Sequence, residues 1–261
     1  RSAEGAKAVS SHTGSLAGSD SIYDALLIQS GVQRVDTIAE LFDYAALYTT
    51  QPLPKGNRLA IITNAGGPGI MATDAAVRAG MKIATLSDAT KNKLRSKLPA
   101  SASLRNPVDV IGDARADRYE AAVRTILEDP GVDMGIVILT PQSMTEIEDT
   151  ARVVPEAVKG LGKPVVCSFM GARDVAAGVE ILRQAGIPNY AFPEDAVRAF
   201  AAANALVTLS EVPHREFPEF PDVQVEKAAG IIANYLGGAD ERYLTQAECR
   251  PIFECYRLPL L

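Results

Sequence analysis

The sequence predicts an α/β protein whose main body is a doubly wound, mostly parallel sheet. Two observations predict it. From about Gly56 onward, short apolar runs rich in β-branched residues alternate with helical stretches of about 10–15 residues, the order of βαβ units. Runs of this kind suit strands covered by helices on both faces. Right-handed crossovers then set the strand C-termini, with their ligand-facing loops, along one edge of the sheet. This body covers residues 52–210.

The elements follow in order. "RLAIIT" (58–63) reads as a strand, then comes a Gly-rich turn and the helix "GIMATDAAVRAG", closed by Gly80. "MKIATL" (81–86) reads as a second strand, and "SDATKNKLRSKL" as a helix with Ser87 or Asp88 at its N-cap. "NPVDVIG" (106–112) is extended, and "DRYEAAVRTILEDPG" is a helix ended by Pro130-Gly131. "VDMGIVILT" (132–140) is the clearest central strand. In "MTEIEDTARVVPEAVKGLG", which is mainly helical, Pro155 is expected to break or bend the helix. "KPVVCSFMG" (163–171) is a strand, "DVAAGVEILRQAG" a helix, and "PEDAVRAFAAANALVTL" a helix with Pro193 in its first turn.

The flanks differ from this body. Residues 1–19 read as loop, and 20–50 as one or two helices ending before the linker "QPLPKGN". "EVPHREFPEFPDV" is a second linker, "VEKAAGIIANYLGG" a helix, and "LTQAECRPIFECYRLPLL" opens a helix with Thr245 and Glu248 in capping-box positions. Both ends read as cut from a longer polypeptide.

Composition narrows the function classes. The 261 residues carry a formal charge of −6 and a sequence pI of about 5.1, with no basic cluster, so nucleic acid and anionic membrane are not expected partners. No apolar run reaches the roughly 18–20 residues that span a bilayer. Cys167, Cys249 and Cys255 lack metal-ligand spacing, and Cys167 reads as a buried small hydrophobe. A reducing, cytoplasmic setting and no protein-bound metal are the expectations.

Four segments could carry chemistry. His12, one of two histidines, lies in "SSHTGSLAGSD", a small polar loop suited to access rather than packing. It is either a surface histidine or a nucleophile, since neutral imidazole attacks phosphoryl groups and titrates near neutrality. Small neighbours such as Ser11, Thr13 and Gly14 would leave room for donors around a phosphoryl group. His214, between Pro213 and Arg215, reads as solvated and structural. "TNAGGPGIMATDA" (63–75) sets Asn64, Ala65, Gly66, Gly67 and Gly69 between a strand and a helix, which is either a phosphate-binding arrangement or a tight turn chosen for packing. It matches neither the P-loop nor the dinucleotide fingerprint. "NPVDVIGDA" puts Asn106, Asp109 and Asp113 at a strand end, where ligand contacts are common, although Asp113 could instead cap the next helix. "TPQSMTE" (140–146), with Gln142, is a second possible anion site at a helix N-terminus.

"SSHTGSLAGSD", "TNAGGPG", "NPVDVIGDA", "KPVVCSFMG" and "GIPNYAFPEDAVRAF" stand in the order found in NDP-forming acyl-CoA synthetases. The sequence resembles that family, the ADP-forming acetate–CoA ligase type related to succinyl-CoA synthetase, over nearly its whole length. The resemblance implies the end of a phosphohistidine domain (1–35), a helix and linker (36–51), a flavodoxin-like CoA-ligase domain (52–210), and a linker with the start of an ATP-grasp domain (211–261). In the last of these, Gln246 departs from the family's Leu-Thr-Glu start. It implies that His12 is transiently phosphorylated and that Ser11, Thr13, Gly14 and the Asn64–Gly69 segment bind its phosphoryl group, with Asn106, Asp109 and Gln142 as secondary candidates. CoA, ATP or ADP, and Mg2+ would serve the intact enzyme, an oligomer with CoA-binding and ATP-grasp domains or subunits, while phosphate alone is expected to bind within this chain. Two rival readings are a regulatory module of the same fold fused to a protein acetyltransferase, and a bare flavodoxin-like binding module.

Overall fold

The computed structural model describes residues 20–210, 220–239 and 241–259. Its contacts divide the chain into two units that part between residues 212 and 213. The first holds helices α1 (Asp20–Gln29) and α2 (Ile38–Thr50), then β1 (Arg58–Thr63), α3 (Gly66–Arg78), β2 (Lys82–Ile83), α4 (Asp88–Arg95) and β3 (Val108–Asp109). It continues through α5 (Ala116–Leu127), β4 (Met134–Leu139), α6 (Ile147–Val158), β5 (Val165–Phe169), α7 (Ala176–Gln184) and α8 (Pro193–Ser210). The second unit holds α9 (Val225–Leu236) and α10 (Gln246–Cys255).

Among the described residues the strands form one five-stranded sheet, ordered β2-β1-β4-β5 with β3 also on β1. Every pairing is parallel. β4 pairs along β1 from Leu59↔Met134 to Thr63↔Ile138 and passes the register to β5 as Gly135↔Val165 through Leu139↔Phe169. On β1's other side, β2 pairs with Arg58 and Leu59, and β3 with Ile62 and Thr63.

The two-residue strand period sorts the apolar side chains into two cores. Ala60, Ile62, Val137, Leu139, Val165 and Cys167 face α4 to α7 and meet Leu94, Tyr119, Val123, Val154 and Leu182. Leu59, Ile61, Met134, Ile136, Ile138 and Val166 face α2, α3 and α8 and meet Leu47, Ala72, Ala76, Val197 and Phe200. All six residues of β4 are buried. Each of its large side chains contributes about 1.5–3 kcal/mol when removed from water, so this strand anchors both layers.

Four local expectations change. The strand expected over 81–86 pairs only at Lys82–Ile83, because the Asn106 carboxamide takes the next place beside β1. Its Oδ1 accepts from Ile61 N (2.9 Å), and its Nδ2 donates to Leu59 O (2.7 Å) and Ala84 O (3.0 Å). Pro155 does not end α6, which runs on to Val158. So close to the helix end one lost backbone bond is outweighed by the buried face of Thr150, Ala151, Val154 and Ala157. Asp113 does not cap α5; the N-cap is Arg115, and Asp113 pairs with Arg118. The helix expected to begin with "GIM" begins earlier, at Gly66.

Other caps follow the sequence. Ser87 accepts from Thr90 N at the start of α4. In the second unit, Thr245 and Glu248 form the capping box of α10, and Gly237 ends α9 in the left-handed conformation at φ 56°.

Candidate functional site

The C-terminal edge of the sheet collects the turns after β1, β3 and β4. After β1, the Thr63 hydroxyl accepts from Ala65 N (3.0 Å) and donates to Ala65 O (2.9 Å), which folds the chain back within two residues. Asn64 is 2% exposed, and both ends of its carboxamide bond the end of β4. Thr140 N and Thr140 Oγ1 donate to its Oδ1 at 2.9 and 3.1 Å, and its Nδ2 donates to Thr140 O at 2.9 Å. From α5, the fully buried Tyr119 hydroxyl donates to Ile138 O (3.0 Å) and lies by the backbone N–H of Asn64. Burial pushes this phenol's pKa well above its ordinary value, so it stays a neutral donor.

These ties hold the N-terminus of α3 at the sheet edge and divide the predicted Asn64–Gly69 cradle into separate roles. The Asn64 side chain is a staple between β1 and β4. The Ala65 N–H is taken by Thr63, Pro68 has no N–H, and Gly69 N turns back to Ala65 O at 3.4 Å. Gly69 is a packing residue, because a Cβ there would stand 3.0 Å from Thr63 Cγ2. Gly66 and Gly67 remain. Both are exposed, and neither amide has a partner among the described residues. The first turn of α3 carries no acidic side chain. The predicted six-residue phosphate loop is thus two bare amides at a helix N-terminus, where partial positive charge favours an anion.

Asp109 and Gln142 lie at the same edge. Asp109 is the register partner of Thr63, its Oδ1 accepts from Ile111 N (2.8 Å), and a Cβ placed on Gly66 would stand 3.9 Å from its Oδ2. Ile111 is held at φ 71°, which is strained for a β-branched residue. The Gln142 carboxamide covers Gly112 so closely that a Cβ there would be 2.8 Å from its Oε1.

Two expectations are corrected. Asn106, proposed as a secondary ligand contact, spends both carboxamide ends on Leu59, Ile61 and Ala84 inside the sheet. The N-terminus of α6 after "TPQSMTE" is not a bare anion site. Glu146 is its N-cap residue and Glu148 and Asp149 occupy its first turn; Glu146 also accepts from Ala116 N (3.3 Å) and pairs with Arg115.

Ser11, His12, Thr13, Gly14 and His214 lie outside the described residues. Sequence reading missed Thr63, Tyr119 and Thr140, whose parts depend on tertiary contact; a Thr ending a strand just before Asn-Ala-Gly-Gly is the one local signal. Cys167 is fully buried as expected, and burial raises its thiol pKa. Among the described residues no group of three or more His, Cys, Asp or Glu is placed to hold a metal ion, and no helix is long and apolar enough to cross a membrane.

The fold is a parallel α/β domain, and the two bare helix amides at its C-terminal edge are an arrangement that suits an anion. Residues 59–207 match the Ligase-CoA domain, and residues 1–48 match the succinyl-CoA ligase like flavodoxin domain. The chain belongs to the Ligase-CoA domain family. It is 39% identical over 261 residues to a 4-hydroxybutyrate–CoA ligase [ADP-forming] of Nitrosopumilus maritimus, spanning all of this chain and 37% of that protein. It is 45% identical over 212 residues to the acetate–CoA ligase [ADP-forming] II subunit alpha of Pyrococcus furiosus, covering 79% of this chain and 45% of the relative. A solved structure, the dinucleotide forming acetyl-coenzyme A synthetase 1 of Ca. Korarchaeum cryptofilum in complex with phosphate and ADP, superposes with a TM-score of 0.76 at 30% identity. That match covers 82% of this chain and 48% of the other. The chain therefore spans less than half the length of each of these relatives. Relatives named as ligases do not favour the regulatory-module reading.

Proposed function

We propose that this chain is the phosphoryl-carrying part of an ADP-forming acyl-CoA synthetase. The observation that carries the reading is the pair of exposed amides, Gly66 and Gly67, at the sheet edge of a Ligase-CoA domain. In the reaction, phosphate attacks the thioester carbonyl of acyl-CoA, and CoA leaves as the thiol. A ring nitrogen of His12 then attacks the phosphorus of the acyl phosphate and releases the carboxylate. The phosphohistidine finally gives its phosphoryl group to ADP, forming ATP and regenerating the neutral ring. Each step is reversible.

Ser11, Thr13 and Gly14, the small residues next to His12 in sequence, suit a phosphorylated ring. In this reading the Gly66 and Gly67 amides would donate to the phosphoryl group, and preorganised donors of that kind are the main protein contribution to phosphoryl transfer. CoA and the Mg2+–nucleotide are held elsewhere in the intact protein. The proposed division is the end of a phosphohistidine domain (1–35), a helix and linker (36–51), the flavodoxin-like domain (52–210) and the opening of an ATP-grasp domain (211–261). Relatives named as alpha subunits support an assembly with partner subunits; a cytoplasmic setting belongs to the same proposal. The test is ATP formation from acyl-CoA, phosphate and ADP by the intact protein. His12→Asn is expected to abolish it, and ATP formation at the wild-type rate would overturn the reading.

A further inference from the structure

We propose that residues 33–57 form a rigid strut pinned by Gln51, so that α2 turns with the sheet as one body and no hinge lies between them. Residues 1–48 match one domain family and residues 59–207 another. Relative motion is the ordinary expectation at such a boundary, and "QPLPKGN" reads as the linker that would allow it. The structure fills the boundary with long-range ties instead. Leu47, on α2, is 2% exposed and packs in one core with Phe200 of α8. The Tyr190 hydroxyl donates to Asp43 O, on the same helix, at 2.8 Å. Ahead of α2, Gln33 Nε2 donates to Ala202 O at 3.2 Å, and its Oε1 accepts from the Tyr48 hydroxyl.

The connection after α2 is tied as closely. Gln51 is the C-cap residue of α2, and its carboxamide joins two separate parts of the body. Its Oε1 accepts from Val165 N at the start of β5 (2.9 Å), and its Nε2 donates to Gly186 O (2.6 Å). Pro54 is buried, and its ring fixes φ. Gly56 lies so close to the Asp133 carboxylate that a Cβ would stand 2.5 Å from Oδ2, an oxygen that also accepts from Arg58 N at 2.9 Å. A hinge is a few residues free to absorb large φ/ψ changes. Swinging the chain here would break the Gln51 bonds, expose the Pro54 ring or push Gly56 into a carboxylate that is already paired. In the proposed reaction, therefore, no hinge at 51–57 moves a phosphoryl carrier relative to this sheet.

The test compares residual dipolar couplings of backbone amides in α2 with those of β1, β4 and β5, in the weakly aligned, 15N-labelled 261-residue chain. Wild-type α2 is expected to share the alignment tensor of the strands in orientation and in magnitude. A smaller tensor for α2, the mark of a helix that swings, would overturn the strut. Gln51→Ala removes both bonds of the pin. It is expected to lower the alignment magnitude of α2 while the strands keep theirs, a difference that general loss of the fold would not produce. Gln51→Glu keeps the acceptor for Val165 N but loses the donor to Gly186 O, and its α2 is expected to lose less alignment than in Gln51→Ala. Unchanged α2 couplings in Gln51→Ala would overturn the part given to Gln51. None of these couplings depends on phosphate or on turnover, so failure of the strut and failure of the proposed function are read separately.

Discussion

Asn64 shows how a polar side chain can shape the edge of a candidate site by tying two strands together. At 2% exposure it bonds Thr140 through both its Oδ1 and its Nδ2. Asn64→Ala leaves a buried N–H and C=O without their partners, and we expect a loss of about 2–4 kcal/mol in urea unfolding of the first unit. Loss of less than about 1 kcal/mol would mean that the β1–β4 staple is dispensable. Asp133 stands away from the site, by the first residue of β1, and predicts a pH effect. Hydrogen bonds from the Arg58 guanidinium hold its carboxyl below the usual range, against the opposing effect of burial. A depressed carboxylate pKa adds stability above the unfolded value of about 3.9 and loses it as pH falls through the folded value. The stability gap between wild type and Asp133→Asn, about 1–3 kcal/mol near neutrality, should therefore close as pH drops below about 4. A gap that stays constant down to pH 3 would contradict the pairing.

Helix α3 separates a glycine that the fold requires from one that it does not. A Cβ at Gly69 meets Thr63 at 3.0 Å, whereas a Cβ at Gly67 meets nothing within 4 Å. Gly67→Ala is expected to leave thermal stability unchanged or slightly raised, since alanine is the better helix former. The same change should weaken phosphate binding by crowding the amides. If the variant lost stability like a packing mutant, access would not be the reason for glycine there. The strand–turn–helix order of residues 58–78 is legible in sequence because its signals are local: an apolar run, then glycines, then helical spacing. The use of each amide in Asn64–Gly69 is not legible. It depends on Thr140 and Tyr119, far along the chain, which settle which N–H groups remain free. Asn106 hides for the same reason, since nothing near it in sequence reveals that its carboxamide replaces a stretch of β2. α6 looks like a second anion site until Glu146, Glu148 and Asp149 are seen to fill its own N-terminus.

At the scale of the whole molecule, the doubly wound body is recovered from the alternation of elements, and its two cores follow from the strand period. In the proposed scheme the chemistry is shared more widely than this chain. Positioning of reactants supplies much of the catalysis in group transfer, and the donor and acceptor modules lie outside these 261 residues in the proposed scheme. The purified chain alone is therefore expected to make no ATP from acyl-CoA, phosphate and ADP, and robust CoA-dependent ATP formation would contradict the proposed division of labour. The central claim is that His12 carries the phosphoryl group. The measurement that tests it most directly is labelling of the intact protein with γ-labelled ATP, followed by acid and base treatment and mapping of the labelled peptide. The account predicts acid-labile, base-stable label on the peptide containing His12, absent from His12→Asn. Equal acid-labile label on the His12→Asn protein would contradict it.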